Sequence, residues 1–311
     1  MGMSRIYVLE RNKLVQRKVL RILTCTGAEV IQSEDPAELS RHLDSSPAVL
    51  CADAVDIATV SDVLQSHPML RGLVWTASKT DPLLGEAEHT ERLDFLLGRD
   101  GKDAAPREWE LLYLVRRLLG GESPGLGALL AWGYTGFKEL VHNPTQRDAC
   151  VEGVVRFCQK LNMPGRVQEM FAELSHELLM NAMYDAPVDS SGRPKYSQDR
   201  KAQITLEPEE AATIRCASDG MRMVISVSDP FGRLPRRAVF GGMARGLRGG
   251  EMDQRNGGAG LGMMYIYRAS AIAIFEVMPG VRTQVTSVYE IDTNQREFRN
   301  LPRSVHFFGD R

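Results

Sequence analysis

The chain has 311 residues, enough for about two domains, and its 43% hydrophobic and 25% charged content excludes disordered, collagen-like and disulfide-scaffold classes. Lys and Arg number 38 against 40 Asp and Glu, a formal charge of −2, so no general basic field exists to hold nucleic acid or an anionic membrane. Any phosphate site must be local. Cys25, Cys51, Cys150, Cys158 and Cys216 are widely spaced with no C-x-x-C pair, which predicts free thiols in a reducing cytoplasm. No apolar run approaches the roughly 18 residues of a membrane span, and the start MGMSRIYVLERNK runs into a strand-like stretch instead of a signal-peptide core.

Short apolar runs alternate with helical patterns through the first third: Ile6 to Leu9, Leu14 to Leu23, Ala48 to Cys51, Val60 to Leu64, Leu73 to Trp75, Phe95 to Leu97 and Trp109 to Leu119. That rhythm predicts a parallel sheet wrapped by helices. Four glycines and a proline between Gly120 and Gly127 mark the domain boundary. Beyond it come helical stretches (Thr145 to Leu161, Pro164 to Ala186), then expected strands at Ala202 to Leu206, Ala211 to Ala217 and Met221 to Val227, with Asp219-Gly220 as a hairpin turn. A Gly/Arg-rich stretch from Gly232 to Gly260 precedes a helix from about Leu261 and two final strands joined at Pro279-Gly280. Helices layered on a mostly antiparallel sheet are expected for this second domain.

On the second of those helices Glu173, Glu177, Asn181 and Asp185 recur every four residues beside an apolar face of Leu174, Leu178 and Ala182, and Pro187 ends the run. Two readings stay open: a solvated stripe, or a site in which Asn181 gives magnesium a hard oxygen and Glu177 acts as a base. Further on, Asp229 closes a β-rich run with Gly232 three residues later, a placement that lets a carboxylate accept an adenine amino group. The segment Asn256-Gly257-Gly258-Ala259-Gly260-Leu261-Gly262 opens a helix, and its glycines can bend around a polyphosphate while helix N-terminal amides face it.

This ordered triple resembles the GHKL family of ATP-binding domains, over about Ala131 to Ile291. Glu177 to Asn181 matches the family's N box, Asp229 to Gly232 its first glycine box and Gly257 to Gly262 its second, while Thr283 matches a late-strand threonine that supports the adenine-binding aspartate. The resemblance implies a Bergerat-type α+β sandwich, ATP with Mg2+ as cofactors, and a lid between the glycine boxes. That lid carries Arg233, Arg236, Arg237, Arg245, Arg248 and Arg255 against Glu251 and Asp253. Phe231 stands where the family usually has glycine, a departure that alters the adenine contacts. Ser175-His176-Glu177-Leu178 also looks like a histidine-kinase phosphoacceptor box, but it coincides with the N box and no dimerisation hairpin precedes it, so a structural role for His176 is preferred. The segment from Arg156 to Asn181 is nearer the anti-sigma serine-kinase branch, and kinase and hydrolase chemistry both remain open.

The first domain resembles a response-regulator receiver. Asp53 ends the third element, where that family's phosphoacceptor sits, and Thr76 matches its switch threonine; a polar strand-end pair in any doubly wound domain is the alternative. The expected acidic pair appears as Glu10-Arg11, and the lysine position as Gly98 followed by Arg99. A guanidinium beside Asp53 opposes a metal and offers the carboxylate an ion pair, so a pseudo-receiver is expected. The architecture is therefore α/β: a doubly wound parallel-sheet receiver-like domain at 1–119, a linker at 120–128, a GHKL-type domain at 129–295 and a C-terminal tail at 296–311 whose Phe307-Phe308 serve packing or docking. Expected partners are proteins of a signalling pathway, a second copy of the chain among them, with no nucleic acid and no membrane.

Overall fold

A computed structural model of the chain describes residues 5–120, 123, 125–248, 259–293 and 295–309. The chain divides into two compact units, Met1–Leu129 with Arg296–His306, and Leu130–Gln295 with Phe307–Arg311. Among the described residues no helix is long and apolar enough to cross a membrane.

The first unit is mixed α/β with a parallel sheet. Strands β1 (Arg5–Leu9), β2 (Glu29–Ser33), β3 (Ala48–Asp53), β4 (Leu70–Thr76) and β5 (Leu93–Gly98) lie in the order 2-1-3-4-5, every neighbouring pair parallel. Because β3, β4 and β5 are buried on both faces, they read as largely apolar runs, broken inside β4 and β5 by Arg71 and Asp94, which pair with each other at 3.2 Å. Helix α1 (Lys13–Thr24) starts on Asn12, whose side chain accepts from the amides of Leu14 and Val15, and its buried Val15, Val19, Ile22 and Leu23 repeat at helical spacing. Helices α2 (Pro36–His42), α3 (Ile57–Ser66), α4 (Asp81–His89) and α5 (Glu108–Gly120) complete the wrapping, with α1 and α5 packed together. In this strand order the direction of winding reverses between β1 and β3, and the crevice at their carboxyl ends is where doubly wound folds place their chemistry.

The second unit contains β6 (Thr135–Val141), β7 (Ala212–Ser218), β8 (Arg222–Asp229), β9 (Ile272–Met278) and β10 (Arg282–Glu290), in the order 9-10-8-7-6 and antiparallel at each pairing. Three helices cover one face: α6 (Pro144–Lys160) sits on β6, α7 (Gly165–Met180) on β8 and α9 (Ala259–Ala269) on β9 and β10, through contacts such as Phe157 on Phe137 and Phe171 on Tyr289. The Asp219-Gly220 turn joins β7 to β8, with Gly220 at a φ of 88°.

Four sequence expectations change. Ala202 to Leu206 is extended chain, not strand: Ile204 and Leu206 are buried and the Leu206 amide donates to the His142 carbonyl, but no ladder forms. The partner of β7 is instead β6, an edge strand whose mostly exposed residues carry no apolar alternation. The expected lid contains a helix, α8 (Arg236–Leu247), which buries Val239, Phe240 and Met243 and packs on α9. The expected tail is divided, because helix α10 (Gln295–Asn300) leads into strand β11 (Ser304–Gly309), which pairs antiparallel with β5 of the first unit through Val305 and His306.

Candidate functional site

Two polar constellations stand out, one in each unit. In the first unit Glu10 follows β1 and Asp53 ends β3, so the sheet topology brings both to the β1/β3 crevice. Arg99, one residue beyond β5, inserts between them: its Nη2 donates to Asp53 Oδ2 at 2.5 Å and its Nη1 lies 3.7 Å from Glu10 Oε2. These side chains are only 6%, 14% and 3% exposed. Asp53 Oδ1 accepts from the Val55 amide, while Glu10 accepts from the Trp75 indole on the same Oε2 and from the Asn12 amide on Oε1. Arg11 pairs with Asp56, whose buried carboxyl is pushed above its ordinary range by desolvation. Thr76 is buried and its hydroxyl accepts from the Ser78 amide. Two guanidiniums thus occupy the space beside these carboxylates.

In the second unit α7 passes directly into a π-helical turn at Asn181–Asp185, the wide form of helix that recurs at functional sites. Glu177, Asn181 and Asp185 meet a single guanidinium there. Arg200, from the irregular segment after the helix, donates through Nη2 to Asn181 Oδ1 at 2.8 Å and to Asp185 Oδ2 at 2.5 Å, and lies 3.9 Å from Glu177 Oε1. Burial raises the Glu177 carboxyl above the usual carboxylate range, opposed by Arg200 and assisted by Asp185. The carboxyl of Asp185 is raised by burial as well, with Arg200 pulling the other way. At Gly262, on the first turns of α9, a Cβ would lie 2.1 Å from Glu177 Oε1, so any larger residue there would have to displace this carboxylate from its present position against the helix. An amide oxygen and two carboxylates form a donor set that magnesium takes, and Arg200 holds that set.

Asp229 sits at the end of β8 opposite Thr283 on β10, is buried, and accepts from the Phe231 amide at 2.9 Å. Desolvation raises its carboxyl to about 6 against these hydrogen bonds and that of the Thr283 hydroxyl. Gly232 follows with a φ of 62°, and a Cβ there would meet the Met278 carbonyl at 2.0 Å. Gly260 and Leu261 open α9, the latter with an exposed side chain, whereas Gly257 and Gly258 lie outside the described residues, as does Arg255. A cavity of about 660 Å³ between α6, α7 and α9 is lined by Glu173, His176, Glu177, Leu261, Gly262 and Tyr265, among others. Asp229 does not line it.

Sequence reasoning missed Arg200 entirely. It lies between Pro187 and β7, where no periodicity marks a residue, and only its position in space joins it to the stripe. No family model matches the chain, and no curated protein does. Among solved structures a response regulator from Thermotoga maritima is similar, at 14% identity and a TM-score of 0.32, over 38% of this chain and 98% of its own.

Proposed function

We propose that the second unit binds Mg-ATP as a GHKL-type domain of Bergerat fold and supports phosphoryl transfer or hydrolysis, under the control of a receiver-like first unit that has lost phosphoacceptor chemistry. The observation that carries this reading is the apposition of Glu177 and Gly262: the glycine of the second glycine box lies against the carboxylate of the N box. Support also comes from Asp229, buried at a strand end and held opposite Thr283. In this reading Asn181 and Asp185 hold the cation, Asp229 binds the adenine amino group, and the lid arginines face the phosphates. Magnesium supplies charge neutralisation at the transferred phosphoryl group. Glu177 takes the proton of the attacking hydroxyl or water, a task for which its burial and raised proton affinity suit it. For the first unit, the ion pair of Arg99 with Asp53 supports loss of phosphoacceptor function, since both oxygens of Asp53 already serve as acceptors.

A second reading is favoured by Arg200. Its guanidinium neutralises Asp185 and satisfies the Asn181 amide oxygen without a metal, as in a non-catalytic switch that orders the lid on binding ATP and presents a surface to a signalling partner. Glu177→Ala separates the two. Loss of ATP turnover with retained ATP binding is expected for catalysis; a wild-type protein with no turnover that captures its partner only with ATP overturns catalysis in favour of the switch.

A further inference from the structure

Glu177 and His176 also line a second cavity, separate from the one that Gly262 borders. It has a volume of about 490 Å³, within the range of small-ligand pockets, and Arg147, Tyr184, Arg200 and Lys201 complete its polar wall. Three cations face it against the single carboxylate of Glu177. Arg147 is fixed before any ligand arrives: its Nε and Nη2 donate to Asp148 at 2.9 and 2.8 Å, its Nη1 lies 3.0 Å from Met180 Sδ, and its side chain is 14% exposed. Tyr184 donates its hydroxyl to the Ala202 carbonyl at 2.8 Å, which ties the segment bearing Arg200 and Lys201 to the π turn. The His176 imidazole on the same wall is held below its ordinary proton affinity, by burial first and then by Arg147 and Arg200, against Asp148.

We propose that this cavity is a binding site for a phosphate-class oxyanion, held by Arg147, Arg200 and Lys201 and distinct from the site proposed for ATP. A guanidinium matches phosphate oxygens in a fork geometry, one that Arg147 offers on release from the exposed Asp148 and Arg200 on release from Asp185, and the ammonium of Lys201 adds a point charge. Arg200 is the shared element: an anion in the cavity competes with Asp185 for its guanidinium, so occupancy of the cavity loosens the grip of Arg200 on Asn181 and Asp185. Such a site needs only the cavity and its charges, whether or not nucleotide binds beside Gly262.

Inorganic pyrophosphate is the probe, titrated calorimetrically into the full chain at low ionic strength without magnesium. Saturable binding at one site is expected, weakened about tenfold by Arg147→Ala with Lys201→Ala, roughly the loss of one charge-assisted contact. Lys201→Gln alone, at an exposed position that folding does not depend on, is expected to weaken it severalfold. Asp185→Asn releases Arg200 and is expected to tighten binding severalfold, an opposite sign that unfolding cannot imitate. Asp229→Asn is expected to leave pyrophosphate binding unchanged, and pyrophosphate to bind alongside ATP. Absence of saturable binding, or equal affinity in the wild type and the lysine and arginine variants, overturns the site. Displacement of pyrophosphate by ATP overturns a separate site by assigning these cations to the nucleotide. Loss of ATP binding with pyrophosphate binding retained counts against the nucleotide reading alone.

Discussion

Single residues decide what the carboxylates of this protein can do. Arg99 is the plainest case, because it places a permanent cation between Asp53 and Glu10 in a nearly dry crevice. Removing it strands two buried carboxylates, so Arg99→Ala should cost about 3 to 5 kcal/mol in chemical denaturation of the first unit. Incubation of the wild type with acetyl phosphate and magnesium should leave no stable phosphate on Asp53; a stable, Asp53-dependent aspartyl phosphate contradicts the pseudo-receiver reading. Asp229 behaves oppositely to an ion-paired acid. Its carboxyl is raised from 3.8 to about 6, so the folded protein binds that proton more tightly than the unfolded chain, and the resulting stability is complete below about pH 4 and lost as pH rises through 6. Above pH 6 the buried charge therefore costs up to about 3 kcal/mol. Asp229→Asn should raise the thermal unfolding midpoint at pH 8 and lose that advantage at pH 4. The residue pattern made Arg99 legible, since a basic side chain just past the last parallel strand must come near the end of the third. Arg200 was not legible, for its partners lie 15 and 19 positions back across irregular chain.

At the scale of elements, buried elements announced themselves and exposed or polar ones did not. The central strands β3, β4 and β5 and the helices α1 and α7 carry apolar runs or helical stripes that burial explains. Strand β6 lacks such a signal because most of it faces solvent, and α8 was hidden because glycines and arginines dominate its composition. Strand β11 shows how far a short polar contact can extend an element's reach. His306 Nε2 lies 2.7 Å from Glu110 Oε1, both side chains are essentially inaccessible, and the Ser304 hydroxyl accepts from the Gly98 amide. Burial pushes the Glu110 carboxyl up, but His306 and Arg107 outweigh it and hold the net value below the usual 4.5. A depressed carboxylate gives stability that is present above the unfolded value and lost as pH falls through the folded one. Acid should therefore loosen β11 from β5, seen as faster amide exchange at Val305 and His306 below about pH 4. His306→Ala, which takes from the buried Glu110 its closest cationic partner, should cost about 3 kcal/mol and speed that exchange at neutral pH.

For the molecule as a whole, composition indicated about two domains and a near-neutral charge, and that charge hides strong local polarity. Arginines at 99 and 200 each close over a carboxylate set, one per unit, and in both units the same question follows: what displaces the guanidinium. In the first unit Arg99 is held between Asp53 and Glu10, with all three side chains nearly inaccessible. The second unit has cavities on Glu177 and a helix interrupted by a π turn, an arrangement able to exchange Arg200 for a ligand. Nucleotide binding by the second unit is read out by calorimetric titration of the full chain with ATP, with and without magnesium. One saturable site is expected, with an affinity that rises with magnesium and falls at least tenfold in both Asn181→Ala and Asp229→Asn. A wild-type chain that gives no saturable heat with Mg-ATP, or an affinity unchanged in both variants, would contradict it.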